Sequence, residues 1–416
     1  MIQLKCEDGD RGEFFHPHGF WDRLIKSMAK LEFHIQSTDH FGQGVHKDGK
    51  RIVFIPKTLP GETGEAEVIE KKKGVEFAVL THLENPSPQR IEAECPHFAE
   101  CQACAYLHTP YEQEMIFKRE SLENQLKTLA KDGQSLPPVK AFSSPTRFGQ
   151  RNRLQLHFDK NHKRLGLLRK NKNNQYDILP IPQCLLPTSR LKESLQALYR
   201  EAWWERPEFE KSGDSGVVIL KELKSGDIQL TVDSNYAGGS FEQVHREMND
   251  KALQLIEEFI QREVQQDAKT LDLFGGRGNL SVSEKLGESW VIDIYGQYDK
   301  FGQPPRPHQH YLSCNLFKTS SWKLRQQLPP TFSPDLIIVD PPRSGFKQMA
   351  EYAEDWKPQH IVAMSCQSST LMRDLKPLKN YTMQNIYLLD FFPGTFHYES
   401  LIFFSRKSEN PQISDT

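Results

Sequence analysis

The sequence predicts an α/β fold whose last third forms an open, largely parallel sheet of the Rossmann-like kind. From about Gly239 onward, β-like apolar runs alternate with helix-like segments such as residues 249–263, a pattern typical of parallel strands joined by helical crossovers. The first strand, residues 270–274, leads into the turn Gly275-Gly276-Arg277-Gly278-Asn279 and then into a predicted helix. A glycine-rich turn at this place lets a cofactor approach the backbone closely, so we expect S-adenosylmethionine or a dinucleotide there.

Three polar segments follow later β-like runs of the same region. They are Asp340-Pro341-Pro342-Arg343, Ser365-Cys366-Gln367 and residues 392–400. Because ligands of open α/β sheets bind at the carboxyl ends of the strands, we expect an acid, a thiol and a second acid to gather at one edge. A thiol and a carboxylate in such a crevice can supply a nucleophile and a base.

The composition indicates a multidomain globular protein. A chain of 416 residues is too long for one typical domain, so two or three are expected. Hydrophobic residues make up 37% and charged residues 26%, and no apolar stretch reaches the roughly 18 residues of a membrane helix. Charges and histidines interrupt residues 1–20, so no secretory signal is predicted. We therefore expect a cytoplasmic protein with no membrane partner.

Positive charge is concentrated although the net charge is −2. Between positions 147 and 172 only Asp159 opposes nine cationic side chains: Arg147, Arg151, Arg153, Lys160, Lys163, Arg164, Arg169, Lys170 and Lys172. This basic stripe is either a phosphate-binding surface or a solvated hairpin. Residues 151–158 alternate with period two, which would turn Leu154, Leu156 and Phe158 inward and present the polar face to RNA.

Four of the seven cysteines have the spacing of a ligand set. The run Cys95-x5-Cys101-x2-Cys104 is compact, and Cys184 can fold back after the basic hairpin to complete four thiolates. In a reducing compartment this spacing favours a metal or cluster over disulfides, and zinc is an alternative occupant. Cys6 and Cys314 are interpreted as ordinary packing or surface thiols.

With these motifs the chain resembles the RNA uracil-5-methyltransferases, the family that includes 23S rRNA (uracil-5)-methyltransferases. The likeness extends from about Phe33 to Arg406. It implies a C-terminal class I methyltransferase domain that binds S-adenosylmethionine. It also implies a [4Fe-4S] cluster on Cys95, Cys101, Cys104 and Cys184. Residues 41–45, followed by 54–56 and 59–62, resemble the TRAM domain, an OB-like RNA-binding barrel that the short β-like runs and turns of residues 33–83 also suggest.

The resemblance also implies a role for individual side chains. Cys366 would attack carbon 6 of uracil, Glu399 would remove the proton from carbon 5, and Asp340 would bind the uracil edge or orient the cofactor. Implied cofactor contacts are Gln243, Phe274, Asn279 and Asn315, with either Asp293 or Tyr295 holding the ribose.

Two segments depart from the family pattern. Residues 303–308 contain three prolines where a helix is expected. Residues 393–397 read Pro-Gly-Thr-Phe-His where the family tends to have Pro-His-Thr-Gly-His.

The predicted organisation is an N-terminal extension without an assigned role (1–30), a TRAM-like barrel (31–86), a central cluster domain with RNA-facing basic strands (87–238), the methyltransferase domain (239–408) and a tail (409–416). We expect a monomer that modifies RNA, with ribosomal RNA favoured over transfer RNA. Two other classes remain as alternatives. One is a non-catalytic RNA-binding protein. The other is an iron–sulfur oxidoreductase, although residues 275–279 lack the glycine spacing of a dinucleotide turn.

Overall fold

The computed structural model describes residues 29–130, 136–170, 175–223, 225–232, 245–294 and 306–407. The tail 409–416 and nearly all of the N-terminal extension lie outside these ranges. Over the ranges described, no helix is both long and apolar enough to cross a membrane.

The described residues form three sheets. The strands are β1 (Lys30–His34), β2 (Ser37–Thr38), β3 (Gln43–Asp48), β4 (Arg51–Pro56), β5 (Thr63–Lys72), β6 (Val75–Asn85), β7 (Val139–Phe142), β8 (Arg153–Asp159), β9 (Arg164–Lys170), β10 (Tyr176–Leu179), β11 (Ser215–Glu222), β12 (Ile228–Val232), β13 (Ala268–Leu273), β14 (Leu286–Asp293), β15 (Gln309–Ser313), β16 (Leu336–Val339), β17 (His360–Ser365), β18 (Tyr381–Leu389) and β19 (Glu399–Arg406). The helices are α1 (Tyr111–Ala130), α2 (Ser189–Arg200), α3 (Pro207–Glu210), α4 (Arg246–Glu263), α5 (Ser321–Arg325), α6 (Met349–Trp356) and α7 (Ser368–Leu375), with a 3-10 turn at Trp203–Glu205.

The N-terminal sheet has the strand order β1-β5-β6-β4-β3-β2. Buried and exposed residues alternate along β1 and through much of β5, so one face packs a core that includes Phe33, Ile55 and Ala66. The short strands predicted for this region are therefore present.

The middle sheet is antiparallel with the order β10-β9-β8-β11-β12. Strand β8 alternates as predicted: Leu154, Leu156 and Phe158 are buried, and the residues between them are half-buried. Helix α2 covers this core with Leu191, Leu195 and Leu198, which share one helix face.

The C-terminal sheet confirms the predicted Rossmann-like architecture. Its order is β15-β14-β13-β16-β17-β19-β18-β7, with β13 to β17 parallel and β19 antiparallel to both of its neighbours. All residues of β16 and β17 are buried, as expected for strands covered on both faces. The chain crosses from one side of β13 to the other between β15 and β16, and this reversal creates a ligand crevice at the carboxyl ends.

Two elements that precede the C-terminal region in sequence are part of its structure: strand β7 extends the C-terminal sheet, and helix α1 packs against it. Strand β7 pairs in parallel with β18. Leu122, Leu126 and Leu129 recur every three or four residues on one face of α1 and join the core beneath the sheet. The segment 87–238 therefore contributes to two sheets.

The helix predicted directly after the glycine-rich turn is absent. Residues 274–285, all of them described, contain no helix. In a helix, the backbone carbonyl groups of this segment would accept N–H groups from the next turn. Here a side chain from β15 binds two of them: Gln309 Nε2 donates to the Gly278 carbonyl at 3.0 Å and to the Ser281 carbonyl at 2.8 Å. This tertiary pairing overrides the local preference for a helix.

Candidate active site

The carboxyl ends of three parallel strands meet around the glycine-rich turn. Leu273, the last residue of β13, pairs with Ile292 on one side and Val339 on the other. The next residue after Val339 is Asp340, whose backbone N–H donates to the Leu273 carbonyl at 3.2 Å. On the other side, the Asp293 carboxylate accepts the Gly276 N–H at 3.2 Å. Both predicted carboxylates therefore flank the turn.

Glycine is required at more than one position of this turn. Gly276 and Gly278 have φ of +55° and +70°, in the left-handed region. Gly275 lies against the Asp272 carboxyl group, to which an added Cβ would come within 2.6 Å. The turn therefore keeps its backbone close to a buried acid, leaving a cradle that side chains would fill.

Asp272 is an acid that the sequence reasoning did not select. It is fully buried and accepts a hydrogen bond from Ser281 Oγ at 2.6 Å. Its Oδ1 atom has no hydrogen-bond partner among the described residues. Burial raises the pKa of Asp272 to about 7; the Ser281 hydroxyl opposes the rise and Asp340 and Asp293 add to it. An acid inside an otherwise apolar strand, residues 270–274, was the available signal.

Cys366 lies directly after β17, and Glu399 begins the neighbouring antiparallel strand β19. The last pair of that ladder is Ser365 with Ser400, so the thiol and the carboxyl group lie side by side at the sheet edge. The Arg343 side chain hydrogen-bonds the thiol. Burial and the nearby Glu399 raise the pKa of Cys366 to about 12, while Arg343 acts in the opposite direction. The structure thus brings together all three predicted strand-end groups.

The two acids beside the thiol both hold protons tightly. Glu399 is 4% exposed, and burial together with Asp340 raises its pKa well above the ordinary range, while Arg343 opposes the rise. Its Oε2 atom lacks a hydrogen-bond partner within the described parts of the chain. Burial raises the pKa of Asp340 to about 7. A carboxyl group in such surroundings becomes a strong base once it is deprotonated.

The other predicted cofactor contacts are only partly described. Gln243 and Tyr295 lie outside the described residues, as does the first half of the proline-containing segment 303–308. Asn279 ends the turn, and its amide donates to Asn249 Oδ1 of α4 at 2.8 Å. Phe274 has φ of +59° and packs its ring against Phe317 and Phe346. Asn315 follows β15, and its side chain accepts the Phe317 N–H at 3.1 Å. Phe274, Asn279 and Asp293 thus line the glycine-rich turn.

The four predicted ligand cysteines lie around one cavity. Cys95, Cys101, Cys104 and Cys184 line a space of about 80 Å³ together with His97, Arg151 and apolar side chains. We call it the cysteine cavity. All six described cysteines are free thiols. No group of three or more His, Cys, Asp or Glu side chains within the described ranges is arranged to hold a single metal ion.

Donors and cations surround these thiols. The backbone N–H groups of His97, Phe98 and Leu185 hydrogen-bond the Cys95 sulfur, and that of Leu186 bonds Cys184. The Lys57 ammonium, which donates to the Ala99 carbonyl at 2.9 Å, also lies close enough to the thiols to interact with them electrostatically. Burial nevertheless has the largest effect and raises the pKa of Cys95, Cys104 and Cys184, while the backbone donors and Arg151 act in the opposite direction.

Much of the basic stripe is neutralised within the protein. Arg147 is nearly buried and pairs with Glu114 at 2.7 Å. Lys160 donates to two backbone carbonyl groups. Arg164 pairs with Asp177 and Arg169 with Glu100, two acids from outside the stripe. Acids and carbonyl groups from other parts of the fold therefore engage these four cations, and phosphate binding by the stripe stays a prediction.

The sheet order and the site at its edge define a methyltransferase of Rossmann-like fold. A family model described as tRNA (Uracil-5-)-methyltransferase matches residues 323–407, which include Asp340, Cys366 and Glu399. This match, to the RNA uracil-5-methyltransferases, covers the C-terminal part of the sheet and the strand-end site.

Relatives and a solved structure extend over most of the chain. The 23S rRNA (uracil(1939)-C(5))-methyltransferase RlmD of Shewanella woodyi is 26% identical over 431 residues, covering 90% of this chain and 96% of the relative. The enzyme of the same name from Shewanella sp. strain ANA-3 is 27% identical over 436 residues, with the same coverage. The crystal structure of Pyrococcus abyssi tRNA (uracil-54, C5)-methyltransferase in complex with S-adenosyl-L-homocysteine superimposes with a TM-score of 0.66 at 20% identity, covering 90% of this chain and 99% of that chain. The last comparison supports the fold.

Proposed function

We propose that the protein methylates carbon 5 of a uridine in RNA, with ribosomal RNA as the favoured substrate. The observation that carries this proposal is the juxtaposition of Cys366 and Glu399 at the carboxyl edge of the sheet, beside the glycine-rich turn. The ribosomal RNA substrate is favoured by the names of the relatives that match 90% of the chain. Transfer RNA remains the alternative substrate.

The reaction requires an enzyme nucleophile because carbon 5 of uracil is itself too weak a nucleophile to accept a methyl group directly. Addition of the Cys366 thiolate to carbon 6 converts the ring to an enolate and concentrates electron density on carbon 5. Glu399 then removes the proton from the methylated carbon 5, and elimination restores the double bond and releases the Cys366 thiolate. Arg343 supports the first step because a guanidinium hydrogen-bonded to sulfur favours the thiolate.

The glycine-rich turn fits S-adenosylmethionine, which would supply an electrophilic methyl group. The cradle at Gly275 and the unpaired Oδ1 of Asp272 provide close backbone approach and a negative partner for a cationic ligand. Asp293 lies on the same side of the turn and is our candidate for the ribose, while Gln243 and Tyr295 stay predicted contacts. Asp340 would orient the cofactor or the uracil edge.

We assign the cysteine cavity to a [4Fe-4S] cluster, with zinc as the alternative occupant. A tetrahedral zinc ion would draw four sulfur atoms to about 2.3 Å from one point. Here the four thiols surround a space of about 80 Å³, and backbone N–H groups point at the sulfur atoms. Cluster sulfurs commonly accept such hydrogen bonds. The shared cavity and the backbone donors support a group held by Cys95, Cys101, Cys104 and Cys184 together.

The remaining assignments extend the same proposal. The N-terminal six-stranded sheet would be the TRAM-like RNA-binding module, and the chain would act as a monomer in the cytoplasm, where thiols stay reduced and RNA is available. The target uridine must leave its stack to reach a half-buried thiol, so a looped or flipped nucleotide is expected.

The test is mass mapping of methylated uridines in ribosomal and transfer RNA from cells with and without the gene. One ribosomal uridine should lose its methyl group in the deletion strain and regain it with the wild-type gene. It should stay unmodified when the strain carries Cys366→Ala. Unchanged methylation in all RNA would reject the proposal, and loss confined to transfer RNA would select the alternative substrate.

A further inference from the structure

A lysine of helix α1 with no exposed surface contacts the loop that precedes Glu399. Lys118 Nζ is 2.7 Å from Glu114 Oε1 and 2.8 Å from Asp390 Oδ1, and it donates to the Phe392 carbonyl at 3.2 Å. All three charged side chains are completely buried. Removing one partner of a buried ion pair leaves an uncompensated charge, so this arrangement resists displacement.

Further hydrogen bonds extend this group in two directions. Asp390 Oδ2 accepts the Tyr111 hydroxyl at 2.7 Å, and the hydroxyl oxygen in turn accepts the Ser144 N–H at 2.8 Å. Glu114 Oε2 pairs with Arg147 at 2.7 Å. We call Lys118, Glu114, Asp390, Tyr111 and Arg147 the ion network.

The ion network holds the loop 390–398 at successive points. Besides Asp390 and the Phe392 carbonyl, it fixes the Gly394 N–H, which donates to Glu114 Oε1 at 2.7 Å. The Gly394 carbonyl accepts the N–H groups of Ala105 and Tyr106 at 2.8 and 3.1 Å. Gly394 has φ of +78°, and an added Cβ would come within 2.8 Å of Leu107. The loop is therefore clamped from α1 and from the segment after Cys104.

Glu399 depends on this loop for its orientation. Its side chain has an unpartnered Oε2 atom among the residues described, so hydrogen bonds to that oxygen do not fix the carboxyl group. The backbone that carries it enters β19 directly from the loop. A displaced loop would therefore move the base relative to carbon 5 of a bound uracil.

We propose that Lys118 is a positioning residue for proton removal by Glu399, acting through the 390–398 loop. The inference rests on the proposed function. It adds a residue that lies 281 positions before Glu399 in the sequence. In the hydrogen bonds described, the helix that carries it contacts neither Cys366 nor the glycine-rich turn. Loss of Lys118 should slow the last proton transfer while leaving the attack by Cys366 in place.

The test compares three variants in single-turnover assays with RNA and S-adenosylmethionine. Lys118→Met removes the ammonium, and Tyr111→Phe removes one hydroxyl and is the milder change if Lys118→Met does not fold. Tyr381→Phe is the matched control. Its buried hydroxyl donates to the Pro358 carbonyl at 2.9 Å, and it lies at the end of β18 that is farthest from Glu399. Each variant is scored for RNA affinity, release of methylated RNA, and the fraction of enzyme covalently joined to RNA on denaturing gels.

Release of methylated RNA by Lys118→Met should fall roughly 100-fold, the scale of a misplaced catalytic base, while RNA affinity stays within about twofold. Covalent enzyme–RNA adduct should accumulate, because the carbon 6–sulfur bond persists until the carbon 5 proton leaves. Tyr111→Phe should show the same adduct with a smaller loss of rate, and Tyr381→Phe should behave as wild type. Folded variants that release product at the wild-type rate, or that slow without adduct, would overturn the proposal. Inactive wild-type enzyme would instead reject the proposed function.

Discussion

Cys366 and Glu399 are the residues that follow and precede the paired Ser365 and Ser400 on antiparallel strands β17 and β19. Only the reversal of β19 places them together, since a parallel final strand would carry the start of residues 399–406 to the opposite edge. Because β19 is antiparallel to β17, its first residue lies beside the last residues of the parallel strands, and this places the two catalytic side chains together.

Glu399→Gln should separate the two catalytic roles. Attack by Cys366 and methylation remain possible, but the amide cannot accept the carbon 5 proton, so a covalent enzyme–RNA adduct should build up on denaturing gels. Turnover should fall by a factor on the order of 10²–10⁴, the usual contribution of a general base.

Two controls define that result. Cys366→Ala should bind RNA with near-normal affinity but transfer no methyl group, and the Cys366→Ala, Glu399→Gln double variant should form no adduct. Near-normal transfer by Cys366→Ala would exclude the thiolate mechanism.

Iron content should depend on Cys184 as strongly as on Cys101. Anaerobically purified protein is expected to be brown and to contain iron and sulfide in similar amounts, and Cys184→Ser should lose cluster because it removes one of four ligands. Cys314→Ser is the matched control, since that buried thiol donates to Thr319 Oγ1 at 3.3 Å and lies outside the cysteine cavity. Stoichiometric zinc without broad visible absorption would assign the cavity to zinc.

The strand ends and the cysteine set could be predicted because their signals are local. Apolar runs followed by Asp340 or Cys366 mark where buried strands end, and the spacing around Cys101 restricts how far its thiols can separate. The fold of the last third follows from the same alternation of strands and helices.

Contacts distant in sequence could not be predicted in this way. Gln309 replaces the expected helix after Asn279 by occupying carbonyl groups some 30 residues earlier. Arg147 looked like part of a surface stripe, but Glu114 draws it into a buried pair. Asp272 was missed because an acid within an apolar strand does not by itself identify a site, and its burial against Gly275 is visible only in the structure.

Gly278→Ala should impair the cofactor turn more than Gly276→Ala. Both positions have left-handed φ and share that strain, roughly 1–2 kcal/mol. An added Cβ at Gly278 would come within 2.7 Å of Gln309, whereas the position at Gly276 is open. Displacing Gln309 would cost a further 1–3 kcal/mol or so, because it leaves buried polar groups unpaired.

Denaturant unfolding and S-adenosylmethionine titration of both glycine variants would measure this difference. Equal losses at Gly276 and Gly278 would show that the contact with Gln309 does not support the turn.

Asp272→Asn should stabilise the cofactor-free protein at alkaline pH. The pKa of Asp272 is about 7 in the folded protein against an ordinary value of 3.8, chiefly because of burial. The folded state therefore binds this proton more tightly than the unfolded state, and the free energy of unfolding falls as pH rises from about 4 to about 7. Asparagine cannot ionise, so the variant should gain at most about 4 kcal/mol at pH 8 and nothing near pH 4.

Urea unfolding from pH 4 to pH 8 tests this sign, with Asp227→Asn on an exposed turn as the control that should leave the profile unchanged. Asp272→Asn should also lose affinity for S-adenosylmethionine at pH 8. The buried carboxylate of Asp272 would otherwise attract a cationic ligand to the backbone at Gly275. Parallel stability profiles for wild type and Asp272→Asn would mean that Asp272 titrates normally. An unchanged cofactor affinity would remove it from the binding site.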